Sequence, residues 1–203
     1  MRREGEKSRC SSSRTTRKVE DTLVGVPFAY YDRLSRREKE LYDRSDRIRR
    51  IDLPQAEGLR PMVEVLRQGL ARDERKVVEA AAVRLVDGIT ASLGVEPVEV
   101  GVLAVRPSLR AAELHGLYTR DEKRRARIRV WMRTVHYRRV VAFRTFLRTL
   151  LHEICHHLDY CHFKLADSFH TEGFFQRESS LFHQLVPRDQ GPEATSSAES
   201  AGQ

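Results

Sequence analysis

His152, Glu153 and His156 stand in the order H-E-x-x-H. On a helix, residues four apart share a face, with Cβ atoms about 5–6 Å apart. Two imidazoles so placed can both reach one Zn²⁺, whose Zn–N bonds are about 2.0–2.1 Å. Glu153 lies beside the first of them and can lean toward a water at the metal without binding the metal itself. A carboxylate there can act as general base. The types and spacing therefore point to metal-assisted hydrolysis with His152 and His156 as metal ligands and Glu153 as the catalytic group.

A catalytic zinc keeps three protein ligands and one open position. The third ligand must come from beyond this helix. His170 follows His156 by fourteen positions, enough for the helix to end and the chain to turn back. A glutamate on a following helix is the other possibility, and Glu172 and Glu178 are both available. Asp159 shares the face of His152 and His156 and could orient a ligand imidazole through its other nitrogen. The alternative for Asp159 is an exposed charge near the helix end. His157 is one position off the ligand face and reads as a neighbour of the site or as a surface residue.

H-E-x-x-H, a loop, and then His170-Thr171-Glu172-Gly173-Phe174 resembles the SprT-like zinc metallopeptidases and their small zincin relatives. The resemblance implies that His152, His156 and His170 are the metal ligands. It implies also that Glu153 is the general base and Phe174 a packing aromatic. Many members have Gly directly after the third histidine, where this chain has Thr171; its glycine is Gly173. The resemblance further implies a zinc-dependent endopeptidase acting on a protein or peptide. An oxyanion stabiliser is then expected, from among Tyr118, Tyr160, His157 and His115.

The elements that must position these residues follow from periodicity. Phe143, Phe146, Leu147, Leu150, Leu151, Ile154 and Leu158 repeat at helical spacing, with Thr145 as the expected N-cap. Thr171 is the expected cap of the next helix, whose apolar face is Phe174, Phe175, Leu181, Phe182 and Leu185. Ser35-x-x-Glu38 is a capping box opening a charged helix through about Ile48, expected to pack at the surface. Leu59, Met62, Val63, Leu66 and Leu70 predict a helix with Pro61 in its first turn. Val77 to Ile89 is the strongest amphipathic pattern, with Gly94 as its stop. The period then changes to that of strands: Val98–Val105, Leu114–Thr119 and Ala126–Arg133, with Arg120–Arg125 as a turn and Val140–Phe143 as a possible short strand. The expected fold is α+β and zincin-like: N-terminal helices, a small antiparallel sheet, the metal-binding helix and the third-ligand helix. An edge strand, Leu114–Thr119 or its hairpin partner, would pair with an extended substrate.

The chain has 203 residues, 40% of them hydrophobic, which suits one domain with tails. The domain is expected over 23–186. Residues 1–22 form a polar basic tail and 187–203 a tail rich in Pro, Gly, Ser, Ala and Glu; both compositions predict disorder. The N-terminal start lacks the apolar core of a signal peptide, and no apolar run approaches the roughly 20 residues of a membrane span. A cytoplasmic location without membrane attachment is the expectation. Cys10, Cys155 and Cys161 make neither a zinc ribbon nor a disulfide framework. The net charge of +8 is concentrated partly in the first twenty residues and partly in Lys123–Arg129. Such clusters can hold phosphate backbones, so nucleic-acid contact through the basic segments is an expected partner class. A non-catalytic zinc-binding protein, or a nucleic-acid-binding protein using the basic hairpin, is the alternative function.

Overall fold

The computed structural model describes residues 30–107, 114–121 and 124–187. The expected tail at 1–22, and all of the expected tail at 187–203 except Pro187, lie outside the described residues, as does part of the hairpin turn. Among these residues a short 3-10 helix (Tyr31–Arg33) precedes five α-helices and three strands in the order α1 (Arg36–Arg47), α2 (Ala56–Ala71), α3 (Arg75–Ser92), β1 (Glu99–Val105), β2 (Gly116–Asp121), β3 (Arg124–Arg133), α4 (Phe143–Cys161) and α5 (Glu172–Leu185). The class is α+β, as expected. No helix among the described residues is long and apolar enough to cross a membrane.

Local chemistry sets most boundaries. The capping box at the head of α1 is complete. Ser35 Oγ accepts from the Glu38 amide, and Glu38 reaches back to the Ser35 amide at 2.9 Å. α1 is nevertheless more than a surface helix, because Tyr42 and Ser45 are buried. Tyr42 packs edge-on to Tyr30 and Tyr31 and against Phe169. α2 begins five residues before Pro61, so the proline sits in the second turn rather than the first. α3 ends where Gly94 takes φ 62°, the left-handed conformation that stops a helix with little strain. Its buried stripe is Val78, Ala81, Ala82, Leu85, Val86 and Ile89.

The sheet differs from expectation in one respect: it is mixed. Its order is β1-β3-β2, with β1 parallel to β3 and β2 antiparallel to β3. After β1 the chain reverses and passes over one strand position, and the β2–β3 hairpin then fills it with β3. Hydrophobic alternation reports which face is buried and carries no information on strand direction, so an all-antiparallel sheet looks the same in sequence. Val140 makes only an isolated bridge to Arg133, not a strand. At the outer rim of β1, the Val102 amide donates to Glu79 and the Val102 carbonyl accepts from Arg75, both on α3.

One core lies between the sheet and the helices. Val102, Ile128, Val130 and Met132 from the sheet meet Leu85, Ile89, Leu147, Leu150, Ile154 and Leu158, all fully enclosed. α4 starts at Phe143, with Ala142 and not Thr145 before its first turn. The bond from the Val141 amide to the Met132 carbonyl holds the chain against β3 to that point. The helix begins as soon as it is released. Thr171 caps α5, as expected: its hydroxyl accepts from the Phe174 amide at 3.0 Å.

Candidate metal centre

From Leu150 to Asp159, α4 is buried on every side, and His152 alone keeps partial exposure. Each polar side chain enclosed there needs a partner, because an unsatisfied buried group costs about 1–3 kcal/mol. Those partners define the site.

Three imidazoles converge. The Nε2 atoms of His152 and His170 are 2.9 Å apart, and those of His170 and His156 are 3.1 Å apart. All three residues offer ligand atoms within 4.8 Å of one another. The fully buried ring of Phe174 packs against each imidazole, at centroid distances of 4.9, 4.8 and 5.1 Å for His152, His156 and His170. Two elements build the triad. α4 supplies two rings one turn apart, and the loop before α5 delivers the third just ahead of the Thr171 cap. Tyr30 holds that loop by donating to the His170 carbonyl at 3.3 Å.

The outward nitrogens fix the tautomers. His156 Nδ1 lies 2.8 Å from Ser168 Oγ, and Ser168 donates its own hydrogen to Asp159 Oδ2 at 2.7 Å. His156 Nδ1 must therefore be the donor, which leaves Nε2 as a bare lone pair. His152 Nδ1 lies 3.3 Å from Glu178 Oε2, and a carboxylate accepts, so the His152 Nε2 lone pair is also directed inward. Arg148 holds Glu178 at 2.9 Å. Inward lone pairs about 3 Å apart repel unless a cation or a proton lies between them. Tetrahedral ligation at the usual zinc–nitrogen distance needs a separation of about 3.3 Å. The donor set and its spacing fit a metal ion held by His152, His156 and His170.

The glutamate alternatives are placed elsewhere. Glu178 sits behind the His152 ring, on Nδ1, and Glu172 is exposed and paired with Gln176 within α5. Asp159, far from being an exposed charge, is fully buried. It joins the triad to the fold through Ser168 on one oxygen and Arg177 on the other, the latter at 2.9 Å. Arg177, itself buried, also donates to the carbonyls of Ser45 and Ile48 at the end of α1. Ser168 and Arg177 carried no sequence signal. Each works through partners distant in the chain, and neither lies in a motif of fixed spacing.

His157 is buried rather than superficial. Its Nε2 donates to the Glu96 carbonyl at 2.7 Å, so its Nδ1 accepts from the Tyr118 hydroxyl at 3.2 Å. Tyr160 donates to Asp167 at 3.2 Å. These hydroxyl and ring donors are thus engaged away from the triad, and His115 lies on exposed chain just before β2. Tyr118 stacks beside His156 at 6.3 Å, and so brings β2 alongside the centre.

Glu153 is 2% exposed and lies against the first residue of β2. A Cβ on Gly116 would lie 2.3 Å from Glu153 Oε1 and 2.8 Å from its Cδ and Cγ. The general-base candidate is therefore pressed against the backbone of the end strand.

Electrostatics agree with neutral ligands. Burial holds His156 well below its ordinary value, helped by His152, His170 and Arg177. Burial, with His152 beside it, lowers His170 to about 3. Burial raises Asp159 to about 6, against the pull of Arg177 and Ser168. Cys155 is buried and Cys161 partly so; both are free thiols, and burial pushes each upward. Comparison of the chain with protein-family models, curated proteins and solved structures finds no match.

Proposed function

We propose that this chain is a zinc-dependent metallopeptidase that hydrolyses peptide bonds with Glu153 as general base. The observation that carries the reading is the convergence of three histidine Nε2 atoms, with the residue after the first of them a buried glutamate outside the group that could hold the metal. A bound zinc ion supplies Lewis-acid polarisation of the scissile carbonyl and lowers the pKa of water to roughly 7. His152, His156 and His170 hold it as neutral ligands, with Glu178 and Ser168 fixing two of the rings. Glu153 takes the proton of the attacking water and delivers it to the leaving amine. A binding module has no need of a carboxylate in that position. The motif's resemblance to SprT-like peptidases favours a protein or peptide substrate over other hydrolysable groups.

Glu153→Gln tests this. The amide keeps the carboxylate's shape but cannot accept a proton at neutral pH. Zinc content and melting temperature should stay at wild-type values while turnover of an unfolded protein substrate falls by about 10²–10⁴-fold, the usual contribution of general acid–base catalysis. Near-normal turnover by the variant would remove Glu153 from the mechanism. A wild-type chain loaded with zinc that leaves unfolded and DNA-bound proteins intact would overturn the peptidase reading.

A further inference from the structure

Gly116 opens β2, a position where glycine weakens a strand and marks close approach of another group. Its backbone does not require glycine, since among the described glycines only Gly94 has positive φ. What requires it is space. All three atoms nearest to a Cβ built there belong to Glu153, and the closest, Oε1 at 2.3 Å, is far inside van der Waals contact. Glu153 cannot retreat easily: it is 2% exposed, in a stretch of α4 that is buried from Leu150 to Asp159 at every residue but His152. Tyr118, two residues along β2, is held through His157 to the Glu96 carbonyl, so the strand cannot retreat easily either.

We propose that Gly116 is the positioning residue for the general base: its missing side chain forms the slot that fixes the Glu153 carboxylate between α4 and β2. This inference rests on the peptidase reading for its catalytic half and on the contact alone for its structural half. The first residue of the end strand then sets the direction from which Glu153 meets the attacking water. Any side chain at that residue swings the carboxylate away without touching a metal ligand.

The test is a pair of double-mutant cycles on the full chain. Gly116→Ala should lower the melting temperature by about 3–10 °C. The same change made on Glu153→Ala, which lacks all three clashing atoms, should cost less than about 2 °C. In the zinc-loaded enzyme, Gly116→Ala should keep full metal content and KM but lose about 10–100-fold in kcat, the scale of an ångström's misplacement. On Glu153→Gln it should lower the residual rate by less than about threefold. An equal loss of melting temperature in both backgrounds would show that the strand, not Glu153, requires glycine, and would overturn the proposal. Wild-type kcat in Gly116→Ala would overturn it as well. If the melting cycle shows coupling but the wild type hydrolyses nothing, the contact stands and the peptidase reading fails.

Discussion

Arg177 of α5 and Asp159 of α4 form an ion pair at 2.9 Å in which neither side chain retains any solvent exposure. Removing one partner of such a pair leaves an uncompensated buried charge, at a cost of about 3–5 kcal/mol. Arg177→Met should therefore destabilise the metal-free chain by about that amount in urea titration. Arg177→Met with Asp159→Asn should cost less than the sum of the two single changes. A loss below 1 kcal/mol in Arg177→Met would mean that the pair contributes nothing to holding α5 on α4.

The triad makes a graded prediction about metal content. Alanine at His152, His156 or His170 should each abolish retention of zinc through dialysis, read by elemental analysis. Glu178→Ala and Ser168→Ala remove only the groups behind the rings, so zinc affinity should weaken by about 10–100-fold while binding persists. Full zinc in His170→Ala together with none in Glu178→Ala would exchange their roles.

Gly173 tests how the third imidazole is delivered. A Cβ there would lie 2.2 Å from the Asp46 carbonyl oxygen, and the Gly173 amide donates to the Asp46 carboxylate at 2.8 Å. The first turn of α5 is thus seated on the end of α1 by backbone against backbone, which cannot yield as a side chain can. Gly173→Ala should cost about 1–3 kcal/mol of stability and weaken zinc binding, because His170 lies three residues upstream. A variant with wild-type melting temperature and zinc affinity would show that this seat is soft.

Acid sensitivity of the metal-free chain follows from three imidazoles that burial holds below their ordinary value, those of His156, His157 and His170. Unfolded histidine titrates near 6.5, whereas burial holds His170 to about 3 and His156 well below the ordinary value. Between about 3 and 6.5 the unfolded chain binds more protons, so stability rises with pH across that window. Asp159, raised to about 6 by burial from 3.8, works in the opposite sense over part of the range, as one group against three. The urea midpoint of chelator-treated protein should be lower at pH 4.5 than at pH 7, and His170→Ala should flatten the difference. A midpoint higher at pH 4.5 would reverse the argument.

What was legible in the sequence was what local spacing encodes. His152 and His156 follow from the helical repeat, the Ser35 and Thr171 caps from their side chains, and Gly94 from its freedom at positive φ. His170 became legible through Thr171-Glu172-Gly173-Phe174, where Phe174 does pack against all three rings. Residues whose work depends on distant partners were not legible. Arg177 reads as an ordinary helix charge until Asp159 and the end of α1 meet around it. Gly116 reads as a weak strand residue until Glu153 is set against it. Strand direction was hidden for the same reason, since the register of β1 on β3 is decided by where the chain crosses. Pro61 and Thr145 misled because each is at home at a helix start, yet α2 begins at Ala56 and α4 at Phe143.

The couple formed by Arg75 and Glu79 at Val102 has a consequence for how copies of this chain behave in solution. A strand at the rim of a sheet exposes amides and carbonyls that template the strand of another molecule, the usual beginning of aggregation. On β1 one amide and one carbonyl of that rim are already occupied by α3, through a charged pair 3.5 Å apart. A foreign strand would have to displace both charges to add there. Two residues from the first two turns of α3, a helix whose other face packs into the core, thus also cover part of the rim that would otherwise be open to such pairing.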